Sequence, residues 1–193
     1  MERTFVMIKP DGVQRGLVGE CISRLERCGL KLLAVKTVKP TPEMVEKHYP
    51  ASDEKWLRLM GDKTLSFYKE HGLDVVKNFK SNDNLEIGRM ILRYLCEYIS
   101  SGPVVLTVWT GPHAIEQVRK IVGNTYPALA APGTIRGDLS VDSTYQAATS
   151  NRCVRNLVHA SGDKNEAENE IALWFKKSEL MQYPRCDEKV MFG

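Results

Sequence analysis

A short segment ending near a histidine contains the residue types that group transfer needs. It reads Asn156-Leu-Val-His159-Ala-Ser161, and Glu170 follows in the next predicted helix. Neutral imidazole is nucleophilic near pH 7 and can carry a transferred group, provided that a second group determines which ring nitrogen attacks. Glu170 is a candidate for that second group. A structural histidine beside apolar residues is the alternative, and this segment alone leaves both interpretations open.

Basic and hydroxyl side chains at three further places could hold phosphate groups. Lys9 follows a predicted strand, Arg119 lies in a predicted helix, and a predicted loop over 125–137 carries Thr125 and Arg136. Cations around a polyphosphate neutralise its charge and position it for phosphoryl transfer. The sequence contains neither a Walker loop nor a kinase-type glycine loop, so side chains and a metal ion would have to hold the phosphates. Solvated surface cations are the alternative.

Composition restricts the class of protein. The chain has 193 residues, of which 42% are hydrophobic and 26% charged, which fits one globular domain with a sizeable core. A net charge of +3 suits phosphate-bearing small molecules and is too low to indicate specific nucleic-acid binding. The five cysteines show no Cys-x-x-C spacing, which indicates reduced thiols in a cytoplasmic protein. We expect neither a signal peptide nor a membrane anchor.

The periodicity of apolar residues predicts strands that alternate with helices. Strands are predicted over 3–8, 30–38, 103–109 and 153–158, with a further short one over 139–141; helices are predicted over 17–28, 42–49, 112–122 and 163–175. Thr41 is the predicted N-cap of the second helix. Residues 53–101 are helical in pattern, with a loop at 80–84. Turns or loops are predicted at 9–12, 125–137 and 142–151. This order fits an α+β split βαβ sandwich with a four-stranded antiparallel sheet.

Five motifs in the chain resemble, in the same order, those of the nucleoside diphosphate kinases. They are residues 4–19, His48-Tyr49, Ser101-Gly-Pro-Val-Val105, Pro132-Gly-Thr-Ile-Arg136-Gly-Asp138 and Asn156-Leu-Val-His159-Ala-Ser161. The resemblance implies a ferredoxin-like fold with extra helices. It also implies transfer of the γ-phosphate of a nucleoside triphosphate, typically ATP, to nucleoside diphosphates. The implied mechanism is ping-pong through a phosphohistidine on His159, which maintains the NTP and dNTP pools.

The same resemblance implies a role for each candidate residue. His159, Lys9, Tyr49 and Glu170 form the implied catalytic set, in which Tyr49 stands beside the histidine and Glu170 accepts a hydrogen bond from its remote nitrogen. Lys9 and Arg136 are expected to contact the transferring phosphate, Arg119 and Thr125 the neighbouring phosphate, and Asn156 and Lys9 the sugar hydroxyls. Mg2+ would bridge the phosphates, mostly through water, without protein ligands. A homo-oligomer, either hexamer or tetramer, is implied, with Pro127 in a loop that supports its contacts.

The chain also departs from the family pattern. Residues 50–100 and 142–152 read as insertions, and 176–193 as a tail, within a single domain over 1–193. The aromatic residue that stacks on the base therefore stays unassigned among Trp56, Phe67, Tyr68 and Tyr94. The Gly-Ser-Asp that usually follows the histidine is Ala-Ser-Gly here, and Ala160 strains the chain only if its position requires a positive φ. Ser161 is expected to cap the next helix, with Asp163 as the competing residue.

Two other functions compete with the phosphotransferase. One is a nucleotide-binding or interaction protein on the same fold that has lost catalysis, with the helical insertion as its partner surface. That loss is disfavoured by a complete set of seven site residues: Lys9, Arg119, Thr125, Arg136, Asn156, His159 and Glu170. The other is nucleic-acid binding, which the scattered basic residues do not favour.

Overall fold

An antiparallel sheet organises one of the two units into which the chain divides. The computed structural model describes residues 1–193, apart from the side chain of Phe192. The first unit comprises Met1–Lys39, Pro103–Asp142 and Asn156–Gly193, and the second comprises Pro40–Gly102 and Ser143–Arg155.

The sheet lies in the first unit and has the predicted form. Its strands are β1 (Glu2–Ile8), β2 (Lys31–Val38), β3 (Val104–Gly111) and β4 (Val158–Ala160). They lie in the order β2-β3-β1-β4, and each neighbouring pair is antiparallel. The predicted α+β fold with a four-stranded antiparallel sheet is therefore confirmed for the described part of the chain.

The described helices include the four that were predicted and the predicted helical stretch after residue 53, together with further short helices. They are α1 (Pro10–Gln14), α2 (Val18–Arg27), α3 (Pro42–His48), α4 (Glu54–Glu70), α5 (Val75–Phe79), α6 (Asn84–Ser100), α7 (Ala114–Val122), α8 (Ile135–Leu139), α9 (Thr144–Thr149), α10 (Lys164–Trp174) and α11 (Glu188–Phe192). The Thr41 hydroxyl accepts the amide of Met44 and caps α3 as predicted. None of the described helices has the length and apolar character that a membrane span needs.

Helix starts account for most of the local errors in prediction. Residues 9–12 do not form a turn, because Pro10 begins α1 and its fixed φ suits the first helical position. The predicted loop over 125–137 contains the start of α8, whose cap Thr134 accepts an amide hydrogen bond through its hydroxyl. Ser143 caps α9 in the same way, so the predicted loop over 142–151 contains a short helix.

Two strand predictions were also wrong. Leu139 ends α8, and Val141 is 97% exposed, so residues 139–141 form no strand. The last strand begins at Val158 rather than at 153, because Leu157 has a φ of +65° that no strand accommodates.

The two faces of β1 have different neighbours in the first unit. Val6 and Ile8 join the core cluster that contains Leu25 of α2 and Val118 of α7. On the other face, the ring of Phe5 lies 6.1 Å from that of His159 and 6.5 Å from that of Phe175. Alternation along one buried strand therefore gives the core one face and the candidate histidine the other.

The polar tail packs along the edge strand β2. The amide of Met181 donates to the Leu33 carbonyl at 2.8 Å, and the Tyr183 hydroxyl donates to the Leu32 carbonyl at 3.0 Å. Lys36 Nζ pairs with Glu179 Oε1 at 2.7 Å. The tail thus satisfies part of an edge that would otherwise present unpaired backbone groups.

Two glycines let the long helices of the second unit approach closely. A Cβ on Gly61 of α4 would lie 1.9 Å from the Asn84 carbonyl oxygen, and one on Gly88 of α6 would lie 2.0 Å from the Leu57 carbonyl oxygen. Both obstacles are backbone atoms, which cannot rotate away as a side chain can. The contact between α4 and α6 therefore depends on the absence of a side chain at both positions.

We expect Gly88→Ala to lower the free energy of unfolding by about 2–4 kcal/mol, because the helices must separate to admit the methyl group. Urea denaturation of wild type and variant measures the difference. Gly19→Ala is the matched control: Gly19 is also helical but has open space around its Cβ position, so alanine should stabilise by about 0.5–1 kcal/mol. Equal effects of the two substitutions would contradict the close approach of α4 and α6.

Candidate functional site

The strand β4 delivers the candidate histidine. His159 is the middle residue of β4 and pairs with Met7 of β1. Its side chain is 16% exposed. The imidazole is therefore held by a sheet strand with a small part of its surface open.

An unusual backbone turn precedes the histidine. Leu157 has a φ of +65°, and the Val158 amide donates to the Asn156 carbonyl at 2.7 Å, which is the hydrogen bond of a γ-turn. A leucine in this left-handed conformation is strained and persists only where its surroundings hold it. No feature of the sequence predicts this turn, because leucine is not a residue that favours positive φ.

The start of α1 fixes the strained residue from one side. The Lys9 amide donates to the Leu157 carbonyl at 2.7 Å, and Asp11 Oδ2 accepts the Leu157 amide at 3.2 Å. A Cβ on Gly12 would lie 3.1 Å from the same carbonyl oxygen, so the absence of a side chain there permits the approach. The Lys9–Gly12 segment therefore stabilises the turn before His159.

The Arg136 guanidinium fixes the turn from the other side. Its Nε donates to the Asn156 carbonyl at 3.1 Å, its Nη2 to the Val158 carbonyl at 2.6 Å, and its Nη1 to the Gly123 carbonyl at 2.8 Å. The side chain is buried. Arg136 thus brings a positive charge to the γ-turn and binds the carbonyl groups of the two residues that flank Leu157.

Glu170 determines the state of the imidazole. Its Oε1 lies 2.6 Å from His159 Nε2, and its Oε2 accepts a hydrogen bond from the Ser161 hydroxyl at 2.6 Å. A carboxylate accepts hydrogen bonds, so neutral His159 donates from Nε2 and keeps the lone pair on Nδ1. Ser161 does not cap the following helix; Asp163 does, by accepting the Glu166 amide at 2.9 Å.

Lys9, Asn156 and Thr125 form a chain of hydrogen bonds. Lys9 Nζ donates to Asn156 Oδ1 at 2.7 Å, and Asn156 Nδ2 donates to the Thr125 carbonyl at 2.8 Å. Lys9 and Asn156 are both buried. Three residues that the sequence predicted for the site, from three separate segments, are therefore connected directly.

The remaining predicted residues lie in different places. Arg119 is in the last turn of α7 and is exposed, and its Nη1 lies 3.5 Å from the point that a Cβ on Gly162 would occupy. Tyr49 belongs to the second unit, where it follows α3 and its ring lies 6.1 Å from that of Trp56. The first unit brings together all of the predicted site residues except Tyr49.

Burial and positive charge act on the pKa of His159. Burial has the largest effect and lowers the pKa below its ordinary value, and Lys9 lowers it further. Glu166 opposes this shift, while Arg136 and Arg119 add to it. Glu166 was not among the predicted site residues, because its position on α10 carries no motif.

The structure resolves two questions that the departures from the family pattern raised. Ala160 pairs with Val6 within β4 and does not have a positive φ, so this alanine does not strain the chain. Among the candidates for base stacking, Tyr68 is buried in the second unit, and its hydroxyl bonds the Ala148 carbonyl at 3.4 Å. Its ring therefore cannot serve as an open stacking surface.

Comparison with known proteins gives consistent matches over nearly the whole chain. The family model described as nucleoside diphosphate kinase matches residues 2–58 and 84–180. The unmatched residues 59–83 fall inside the stretch that reads as an insertion. A nucleoside diphosphate kinase of Pyrobaculum aerophilum is 50% identical over 182 residues, which cover 94% of this chain and 99% of that protein.

Solved structures give the same result. The crystal structure of an NDP kinase from Pyrobaculum aerophilum matches with a TM-score of 0.91 and 49% identity, over 94% of this chain and 99% of that one. The nucleoside diphosphate kinase of Borrelia burgdorferi, solved as a transition-state mimic with vanadate and ADP, matches with a TM-score of 0.77 and 34% identity. That match covers 97% of this chain and 94% of the other.

We expect His159 to remain neutral down to a pH well below its ordinary pKa of 6.5, because burial and nearby cations disfavour the imidazolium. The unfolded chain then binds more protons at this residue, so its contribution to stability falls as the pH drops below about 6.5. A carbon–proton NMR titration of histidine-labelled protein measures the midpoint, and the signal lost in His159→Gln identifies the residue. A midpoint above pH 6 would contradict the prediction.

Proposed function

The chain belongs to the nucleoside diphosphate kinase family, and from this premise we propose that His159 carries the phosphoryl group in its reaction. The enzyme transfers the γ-phosphate of a nucleoside triphosphate, typically ATP, to nucleoside diphosphates by a ping-pong mechanism through a phosphohistidine, which maintains the NTP and dNTP pools. The observation that carries the proposal is the 2.6 Å contact between His159 Nε2 and Glu170 Oε1.

In this proposal His159 Nδ1 attacks the γ-phosphorus. The new N–P bond forms as the bond from the γ-phosphorus to the β,γ-bridging oxygen breaks, and the nucleoside diphosphate leaves with the bonding electrons on that oxygen. Glu170 stabilises the positive charge that the ring gains, because its carboxylate already accepts a hydrogen bond from the Nε2–H group. The second half-reaction reverses these steps with another diphosphate.

The surrounding polar groups are assigned to the nucleotide. Lys9 and Arg136 contact the transferring phosphate, and Arg119 and Thr125 hold the neighbouring one. The Arg136 guanidinium bonds the carbonyl of Val158, which precedes the histidine, and its charge acts on the His159 imidazole, which supports this assignment. Asn156 and Lys9 bind the sugar hydroxyls.

The role of Tyr49 is proposed on the family pattern. It is assigned a place beside the histidine in the catalytic set, as the resemblance implies. The aromatic residue that stacks on the base is left among Trp56, Phe67 and Tyr94, since Tyr68 is buried.

Mg2+ is assigned to the bound nucleotide. Three cations, Lys9, Arg136 and Arg119, act on the charge of His159 and suit phosphate oxygens, while the nearby Glu170 carboxylate is engaged by His159 and Ser161. Asp11, the carboxylate nearest the γ-turn, bonds the Leu157 amide. The ion would therefore be held by the β- and γ-phosphates and by water, where it neutralises phosphate charge.

The assembly and location are also proposals. We assign the enzyme to a homo-oligomer, hexamer or tetramer, whose contacts include the segment that begins at Pro127. Exposed apolar side chains near it support this: Leu129 is 70% exposed and Val141 97%. A cytoplasmic location is supported by the five cysteines, all of which are free thiols.

The chain is proposed to form a single nucleoside diphosphate kinase domain over residues 1–193. In this assignment the stretches at about 50–100 and 142–152 are insertions, and residues 176–193 are a C-terminal tail.

We expect wild-type protein incubated with γ-labelled ATP and Mg2+ to form an acid-labile, base-stable phosphoprotein that discharges when GDP is added. His159→Ala should abolish the label and reduce turnover by several orders of magnitude while it retains nucleotide binding. His71→Ala, an exposed histidine of the second unit, is the control and should label as wild type does.

Multiple turnover by His159→Ala would sink the proposal. Absence of label from the wild type, with ATP still bound, would instead favour a nucleotide-binding protein that has lost catalysis.

A further inference from the structure

A glutamate carboxylate lies within the group of charges around His159. Glu166 of α10 is half-buried, and its Oε2 accepts the Gly162 amide at 2.7 Å. A Cβ on Gly162 would lie 2.7 Å from this Oε2 and 3.5 Å from Arg119 Nη1. The carboxylate and the guanidinium thus lie beside the same point, which the absence of a side chain at Gly162 leaves open.

The charges that face Glu166 come from several elements. Glu170 and the capping carboxylate of Asp163, both on or beside α10, act on the charge of Glu166, and so does His159 from β4. Arg119 approaches from α7. Lys9 and Arg136 also act on the charge of the His159 imidazole. Glu166 therefore belongs to a group of charges that includes other carboxylates and cations assigned to phosphate.

An ionised carboxylate in this place opposes an anionic ligand. The Glu166 charge and a nucleotide phosphate would both lie close to Arg119, and like charges at such separations repel even at an intermediate dielectric constant. No described residue forms an ion pair with Glu166, so its charge is not neutralised by a fixed partner. Binding would be easier if the carboxylate were neutral.

We propose that Glu166 is a proton-linked regulator of phosphate binding: its carboxylate opposes the nucleotide when ionised and admits it when protonated. The inference rests on the proposed function, because it takes the phosphates to lie near Arg119 and His159. On binding, a proton from solvent adds to Glu166, so that Glu–COO⁻, H⁺ and nucleotide give Glu–COOH with nucleotide bound.

The environment of Glu166 favours this protonation. Burial raises the pKa of its carboxyl, and the charge of Glu170 raises it further, although His159 acts in the opposite direction. An arriving phosphate adds negative charge and raises the pKa again. The bound state therefore takes up protons at Glu166, and nucleotide affinity should rise as the pH falls through this range.

Glu166→Gln isolates the charge, because the amide oxygen can still accept the Gly162 N–H. We expect it to bind ADP about tenfold more tightly than wild type at pH 8, where the carboxylate is ionised. Glu168→Gln is the matched control, since Glu168 is on the same helix but pairs with Arg3. It should bind ADP as wild type does.

Isothermal titration calorimetry with ADP, in two buffers of different ionisation enthalpy from pH 5.5 to 8, measures the protons taken up on binding. Wild type and Glu168→Gln should take up a fraction of a proton more than Glu166→Gln does. The nucleotide's own phosphate contributes equally to all three proteins and cancels in the difference. A purely structural role for Glu166 would not change this number.

Equal proton uptake and equal affinity in Glu166→Gln and wild type would overturn the inference. Phosphoenzyme labelling of the same three proteins separates this failure from failure of the proposed function. If wild type and Glu166→Gln both form the His159 phosphoenzyme but take up equal numbers of protons, the proton linkage alone is wrong.

Discussion

The hydrogen bond between His159 and Glu170 is the contact that the rest of the first unit holds in place. A histidine from β4 and a glutamate from α10 must lie close enough for His159 Nε2 to bond Glu170 Oε1 at 2.6 Å. Ser161 engages the second carboxylate oxygen, so that Glu170 has little freedom to rotate. Fixed in this way, the carboxylate selects one tautomer of the imidazole, in which Nε2 carries the proton and Nδ1 keeps its lone pair.

The backbone before the histidine has a strained conformation at Leu157. Leu157 adopts a left-handed conformation, and groups from α1 and α8 bind the peptides around it. Lys9 and Arg136 consequently have two roles: each stabilises the turn or its neighbours, and each brings positive charge to the proposed phosphate site. Substitution of either residue therefore changes geometry and electrostatics together, and a loss of rate in such a variant does not by itself identify phosphate contact.

The sequence predicted the features that depend on pattern and missed those that depend on tertiary contact. Apolar periodicity located β1, β2, β3 and most helices, and the sequence predicted the pairing of His159 with Glu170, whose side chains lie 2.6 Å apart. Neither could reveal the γ-turn, because the positive φ of Leu157 is imposed by Lys9, Asp11 and Arg136 from distant positions. The position of Glu166 was missed for a similar reason, since its effect on His159 arises only when α10 packs beside β4.

The nitrogen that carries the phosphate tests the central claim most directly. Phosphoenzyme prepared from labelled ATP and kept at alkaline pH can be examined by phosphorus–proton correlation NMR, in which the two ring protons couple differently to phosphorus on Nδ1 and on Nε2. The Glu170 contact predicts phosphate on Nδ1 of His159. Phosphate on Nε2 would contradict the account, because that nitrogen could not then donate to Glu170.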